Sequence, residues 1–130
     1  MVTLKKGIIK NKPRIAIVIS SFNDFITKRL LNACLMELRA QGLAENQITT
    51  LWVPGSFEIP LTAMTLAKRK DIDAVICLGA VIRGETYHFE VVANECARGV
   101  MEASLLAQKP VIMGVLTTDT IAQAQAVLQR

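Results

Sequence analysis

Apolar residues along the chain form four short continuous runs, and an amphipathic segment follows each run. The runs are rich in β-branched residues and predict strands buried on both faces, whereas the segments repeat an apolar position about every three to four residues and predict helices. The predicted strands cover residues 14–20, 48–53, 72–79 and 111–117, and the predicted helices cover residues 24–41, 59–70, 89–106 and 119–130. Gly42 and Pro110 stand where the first and third helices are expected to end.

This alternation predicts an α/β fold in which residues 1–130 form a single domain. Because crossovers between parallel strands are right-handed, we expect an open, parallel, four-stranded sheet with helices on both faces. The segment TLKKGIIK, residues 3–10, could form a fifth short strand, but it has no obvious place in that sheet. We expect it to pair with the sheet of a neighbouring subunit.

Polar side chains and glycines concentrate in the segments that follow the predicted strands. These segments are residues 20–23, 53–58, 79–88 and 117–119. In an open α/β sheet, ligands bind outside the carboxyl ends of the strands. The sequence therefore predicts a binding site where these four segments meet.

Phe22, Asn23, Ser56 and Glu58 each admit a structural and a functional interpretation. Phe22 either packs under the first helix or offers a flat face to an aromatic ligand. Asn23 and Ser56 both suit the N-cap of a helix. Glu58 suits the positive end of a helix dipole, and it could also accept hydrogen bonds from a polyol.

The segment from Gly84 to His88 carries the candidates for acid–base chemistry and anion binding. Gly84, Glu85 and Thr86 precede the third predicted helix, and free N–H groups at a helix start bind anions. His88 is either a structural residue or a general acid–base, because its unperturbed pKa lies near neutrality. Arg83 is either a surface residue or a ligand.

The composition narrows the classes of function. The net charge is +4, which is compatible with a small anionic substrate, but only six aromatic residues are present, so we expect no nucleic-acid partner. No apolar run approaches the ~20 residues of a membrane span, and we expect no membrane partner. Three cysteines without a CxxC pair favour a reducing cytoplasm. We expect no metal, since no His, Cys or carboxylate cluster has the spacing of metal ligands. The sequence has neither a GxGxxG nor a GxxxxGK[ST] motif, which weakens the case for a nucleotide-binding site.

Four motifs together resemble those of the lumazine synthase family. They are SFNDFI at residues 21–26, VPGSFEIP at 53–60, LGAVIRGETYHFE at 78–90 and PVIMGVLTTDTIAQA at 110–124. The third motif is long and specific, and the four occur in the family's order and spacing over nearly the whole chain.

The resemblance implies a flavodoxin-like three-layer sandwich and a role in riboflavin biosynthesis. Enzymes of this family condense 5-amino-6-ribitylaminouracil with 3,4-dihydroxy-2-butanone 4-phosphate, release phosphate and water, and need no cofactor or metal. The family forms homopentamers, sometimes paired or assembled into capsids. Its N-terminal segment adds a strand to a neighbour's sheet, which would accommodate residues 3–10.

The resemblance also implies a role for twelve residues of this chain. His88 would transfer protons during imine formation and phosphate elimination, and Phe22 would stack on the pyrimidine ring. Asn23, Ser56, Phe57 and Glu58 would hold the ring edge and the ribityl chain. Ala80, Val81 and Ile82 would line the pyrimidine pocket, Glu85 and Thr86 would offer backbone N–H groups to the phosphate, and Met113 would reach the site of an adjacent subunit.

The chain departs from the family's pattern near its last residues. Val127 occupies the position where the family usually has an arginine that binds the substrate phosphate, and Arg130 follows one helical turn later. The family continues with a basic segment and another helix. We therefore expect weaker affinity for the phosphorylated substrate, by about ten- to a hundredfold for the lost charge-assisted hydrogen bonds.

Two functions follow from this departure. The chain is either a working synthase with weakened phosphate binding, or a non-catalytic relative that binds a lumazine or flavin or forms a shell. Phe22, Glu58 and His88 favour the synthase. A flavodoxin-like or receiver-type signalling domain shares the architecture, but it predicts an acidic cluster or FMN loops at the strand ends, and neither is visible.

Overall fold

The computed structural model describes residues 12–129, in which four strands alternate with four helices. The elements are β1 (Ile15–Ser20), α1 (Asp24–Ala40), β2 (Ile48–Val53), α2 (Ile59–Ala67), β3 (Ala74–Ile82), α3 (His88–Ala107), β4 (Val111–Thr118) and α4 (Ile121–Leu128). Single turns of 3₁₀ helix at Glu45–Gln47 and Ser56–Glu58 precede β2 and α2.

The four strands form one parallel sheet in the order β2-β1-β3-β4. The chain passes from β1 outward to β2 and then returns across β1 to β3, so the strand order reverses between β1 and β3. Such a reversal leaves a crevice at the carboxyl ends of the two strands, where ligands of open α/β sheets bind. The topology therefore locates a candidate site before any side chain is considered.

Helices cover both faces of the sheet. On one face, α2 and α3 pack against a buried cluster that includes Val75, Cys77 and Cys96. On the other face, α1 packs against Ile17, Ile19 and Leu78, and a smaller cluster joins α1 and α4 to β3 through Ala124. Apolar residues of the central strands are therefore buried on both sides, which confirms the predicted three-layer α/β fold.

The element boundaries follow the predictions closely in the first half of the chain. β2 occupies the predicted residues, and α1 ends one residue before the predicted limit. Gly42 adopts a φ of +99°, and its N–H donates to the carbonyl of Arg39. Glycine takes this left-handed conformation without a Cβ penalty, so the predicted helix stop is confirmed.

Several boundaries from α2 onward differ from the predictions. β3 was expected to end at Gly79, but it continues to Ile82 because β4 pairs with it in register up to Thr118. The residues after Gly79 are therefore strand, and the polar loop begins only at Arg83. α2 ends at Ala67, three residues early, and α3 begins at His88.

Two predictions concern segments outside the described residues. The proposed additional strand at residues 3–10 lies there, as does Arg130, which follows Val127 by one helical turn.

Candidate active site

A cavity of about 710 Å³ opens at the carboxyl ends of β1, β2 and β3, at the crevice that the strand order creates. Its walls come from the two residues after β1, the 3₁₀ turn after β2, the end of β3 and the start of α3. The lining residues are Phe22, Asn23, Pro54, Gly55, Ser56, Phe57, Glu58, Ala80, Val81, Ile82, Gly84, Thr86, His88, Phe89, Val91 and Val92. This volume is within the range of small-molecule sites.

Phe22 and Asn23 form the wall at the end of β1. Phe22 is 71% exposed, so it does not pack under α1, and the structural interpretation of this ring is wrong. Asn23 holds the N-cap position of α1 in a left-handed conformation, with φ 60° and ψ 44°, but its side chain does not cap the helix. Instead its Nδ2 donates to the carbonyl oxygen of Ala80 at 2.9 Å. Asn23 therefore joins the ends of β1 and β3 beside the cavity.

The 3₁₀ turn Ser56–Glu58 forms a second wall. Gly55, not Ser56, holds the N-cap position of this turn, so the N-cap interpretation of Ser56 is wrong. Ser56 is only 6% exposed and packs against β3, where its Oγ lies 2.7 Å from the position that a Cβ on Gly79 would occupy. The turn reaches the sheet this closely because residue 79 is glycine. Phe57 and Glu58 remain exposed at the cavity.

The loop from Gly84 to Tyr87 and the first turn of α3 close the third side. Thr86 and His88 line the cavity, and the backbone N–H of His88 lies 3.4 Å from Thr86 Oγ1. Because α3 begins at His88, Glu85 and Thr86 lie in the loop and not in the first helical turn. Glu85 is exposed and does not line the cavity. The expected anion site at this helix start would therefore use N–H groups of the loop.

The charges at the cavity come from few side chains. Among the described residues that line it, only Glu58 and His88 carry ionisable groups, and none is lysine or arginine. Arg83 stands beside the cavity and is bound to carboxylates: its Nε donates to Asp119 Oδ1 at 2.7 Å, and its Nη1 donates to Glu90 Oε1. These two contacts, with Asp119 first, raise the pKa of the Arg83 guanidinium above its ordinary value.

The structure gathers ten of the twelve predicted site residues around one cavity. The two that lie elsewhere are Glu85 and Met113. Met113 is 40% exposed on the edge strand β4, where it pairs with Cys77 of β3, well before the carboxyl end of that strand. Its expected contact with an adjacent subunit stays a prediction. Val127 lies exposed on α4 and does not line the cavity.

Sequence reasoning missed several lining residues. Pro54 and Gly55 lay in an expected loop without an assigned role, and Phe89 and Val92 fell within the third predicted helix, residues 89–106. Phe89 and Val92 both belong to the cluster on the α3 face of the sheet, which the cavity adjoins. The helical periodicity signalled their burial, but it could not show that this buried face continues into the cavity.

Residues 12–129 contain no group of three or more His, Cys, Asp or Glu residues that could hold a metal ion. Within the same residues, no helix has both the length and the apolar character needed to cross a membrane.

A comparison with protein-family models identifies one family. The model for 6,7-dimethyl-8-ribityllumazine synthase matches residues 12–129, which is nearly the whole chain and includes every element that forms the cavity. The family is one of enzymes, and its name specifies a lumazine product. The match, the parallel sheet with its helices and the motifs around the cavity agree: the chain belongs to the 6,7-dimethyl-8-ribityllumazine synthase family.

Proposed function

We propose that this protein is a working lumazine synthase, which condenses 5-amino-6-ribitylaminouracil with 3,4-dihydroxy-2-butanone 4-phosphate. The observation that carries the proposal is the convergence of Phe22, Ser56–Glu58, the end of β3 and His88 on one cavity. These residues come from four separate elements, and their roles in the family require that they face one ligand. The reaction belongs to riboflavin biosynthesis, and we propose a cytoplasmic homopentamer or a multiple of it.

Each wall of the cavity suits one part of the substrates. The exposed ring of Phe22 offers a flat apolar face to the pyrimidine. Glu58 and Ser56 offer oxygen acceptors to the hydroxyl groups of the ribityl chain, with Asn23 and Phe57 beside them. Ala80, Val81 and Ile82 line the same cavity, and their backbone groups would face the ring edge.

The butanone phosphate would then lie between the loop and the first turn of α3. The N–H groups of Glu85 and Thr86 would face its phosphate. The 5-amino group attacks the ketone carbon, and one water is lost as the imine forms. Phosphate is then eliminated and the resulting enol tautomerises to a ketone. The nitrogen that bears the ribityl chain attacks this carbonyl, and the ring closes with loss of a second water. His88 would accept and return protons in these steps. Because the amine and ketone react readily once they are held together, much of the rate enhancement can come from proximity.

A second candidate function is a binding protein that holds a ribityl pteridine without turnover. Within residues 12–129, none of the residues that line the cavity is lysine or arginine, and this supports the alternative, since a phosphate dianion is most strongly bound by charge-assisted hydrogen bonds. Val127 occupies the position at which the family usually supplies that charge. Binding of the uncharged pyrimidine would be unaffected by this loss.

A turnover assay separates the two functions. Purified protein is mixed with both substrates, lumazine formation is followed optically, and the uncatalysed rate is subtracted. The synthase predicts a rate above background with a high KM for the butanone phosphate. The binding protein predicts no rate above background from a folded oligomer that still binds the pyrimidine saturably.

A matched pair of variants shows whether binding occurs in this cavity. Phe22→Ala removes an exposed ring that lines the cavity, and Phe25→Ala removes an exposed ring that does not. We expect Phe22→Ala to weaken pyrimidine binding by about tenfold, as the loss of one stacking contact predicts, and Phe25→Ala to leave binding unchanged. Equal effects of the two variants would place the pyrimidine outside this cavity.

A further inference from the structure

The Arg83 side chain joins the two ends of the loop that leads to His88, the acid–base candidate. Arg83 directly precedes the loop, and its backbone N–H donates to the carbonyl of Thr118 at 2.9 Å, which fixes it to the end of β4. Its guanidinium then reaches Glu90, in the first turn of α3, on the far side of the loop. The four loop residues and His88 lie between these two fixed points.

Two further contacts set the orientation of the guanidinium. Asp119, between β4 and α4, accepts from Nε at 2.7 Å, and the Phe89 ring lies 4.5 Å below the guanidinium carbon. Phe89 follows His88 directly and lines the cavity. Arg83 therefore contacts both residues that follow His88, from a base anchored on the sheet. A planar guanidinium can bind two carboxylates and stack on a ring at once, which an ammonium cannot.

The energetic role of these contacts is limited by solvent. The Arg83 side chain is 45% exposed, and its partners Glu90 and Asp119 are 28% and 62% exposed, so water screens both ion pairs. Such pairs contribute little to the free energy of unfolding. The two ion pairs matter more for geometry, because they fix the position of the first turn of α3 relative to the end of β3.

We propose that Arg83 is a positioning residue, which holds His88 at the cavity by fixing both ends of the loop between β3 and α3. This inference rests on the proposed synthase function. Arg83 itself does not line the cavity. Its effect on turnover passes through His88, and the effect should vanish when His88 is absent.

A double-mutant cycle tests this dependence. Arg83→Met is made in the wild-type and His88→Ala backgrounds, and Arg69→Met is the control, because Arg69 also pairs with a carboxylate, Asp71, but before β3 begins. Alone, Arg83→Met should lower kcat by about ten- to a hundredfold, the cost of misplacing a catalytic group. In the His88→Ala background it should change kcat by no more than about twofold. Arg69→Met should leave kcat unchanged in both.

Equal losses in the two backgrounds would overturn the proposal, because they would show that Arg83 acts independently of His88. If Arg83→Met fails to fold, Arg83→Lys replaces it in the same cycle. Lysine keeps the charge but cannot bind both carboxylates in the planar geometry. We expect a smaller loss of kcat that is again absent in the His88→Ala background.

A spectroscopic measurement keeps the inference separate from the proposed function. His88 is the one histidine of the chain, so its imidazole gives a single set of NMR signals. Arg83→Met should shift or broaden these signals and Arg69→Met should leave them unchanged. If the wild-type protein shows no turnover, the synthase proposal fails, and the NMR comparison alone decides the role of Arg83. Unchanged His88 signals in Arg83→Met would overturn it.

Discussion

His88 is the first residue of α3, and its side chain is exposed at the cavity. If it acts as a general acid–base, His88→Ala removes only that contribution and leaves the positioning of the substrates intact. We expect kcat to fall by no more than about 10²–10⁴-fold, the usual range for such catalysis. The rate is measured by lumazine formation against the uncatalysed reaction.

Tyr87→Phe is the control for this substitution. Tyr87 is the preceding residue, is exposed and does not line the cavity, so the variant should retain the wild-type rate. A complete loss of activity in a folded His88→Ala protein would contradict the scheme, because proximity alone should still accelerate the reaction.

Asn23 combines an unusual backbone conformation with a hydrogen bond between strand ends. Its φ of 60° is left-handed, where asparagine is tolerated better than alanine, and its Nδ2 donates to Ala80. Asn23→Ala should lower the free energy of unfolding by about 2 kcal/mol, from the strained conformation and the lost hydrogen bond together. Urea denaturation measures the change.

Asn23→Gly separates the two contributions. Glycine adopts the left-handed conformation freely but cannot donate to Ala80, so we expect it to lose only about 1 kcal/mol. Equal losses in the two variants would show that the backbone conformation carries no cost here.

At the scale of elements, the cavity depends on how closely the 3₁₀ turn approaches β3. A Cβ on Gly79 would stand 2.7 Å from Ser56 Oγ, 3.1 Å from Ser20 Oγ and 3.3 Å from Ile59 Cδ1. Gly79→Ala must therefore displace the Ser56 side chain or the turn that carries it, and we expect the free energy of unfolding to fall by about 1–3 kcal/mol, as for other overpacked sites. Since the turn carries Phe57 and Glu58, pyrimidine binding should weaken in the same variant.

Gly84→Ala serves as the control, because nothing lies within 4 Å of the added Cβ. Thermal or urea unfolding should place this variant within about 0.5 kcal/mol of the wild type. If Gly79→Ala is as stable as Gly84→Ala, the turn does not rest on the sheet as described.

The sequence was sufficient to predict the helices and strands but not the contacts between them. β-branched runs and helical periodicity predicted all four strands and helices, because both signals are local. The extension of β3 to Ile82 was missed, since it depends on pairing with β4, which is distant in sequence. The same limit explains Asn23. Asparagine is a common helix cap, but the hydrogen-bond partner of this side chain is the carbonyl of Ala80, 57 residues away.

The candidate site shows the same division between local and distant information. Motifs supplied ten of the residues that line the cavity, and the rule for parallel sheets supplied their common location. The contacts of Arg83 with Asp119 and Glu90 could not be predicted, because they require the relative placement of β3, α3 and α4.

At the scale of the whole molecule, two buried thiols lie in the core between the central sheet and α3. Cys77 of β3 and Cys96 of α3 belong to the same buried cluster on the α2 and α3 face of the sheet. Burial raises the pKa of Cys77 to about 12, with the neighbouring Cys96 as a further cause, and burial raises the pKa of Cys96 to about 11. The fold therefore holds both groups as neutral thiols.

These shifts make the stability of the fold depend on alkaline pH. A thiol whose pKa is raised in the folded state contributes its full stabilisation at pH values below its pKa in the unfolded chain, which is about 8.5. This stabilisation is lost as the pH rises from there toward the pKa values of the folded state. Within this pH window, each thiol should lower the free energy of unfolding by about 1.4 kcal/mol per pH unit. Urea denaturation of the wild type and of a Cys77→Ala, Cys96→Ala variant, from about pH 8 to about pH 10, isolates the two groups from other titrations. We expect the difference in unfolding free energy between the two proteins to narrow steadily with rising pH. A constant difference would mean that neither thiol is protected from ionisation by the packing of α3 on the sheet.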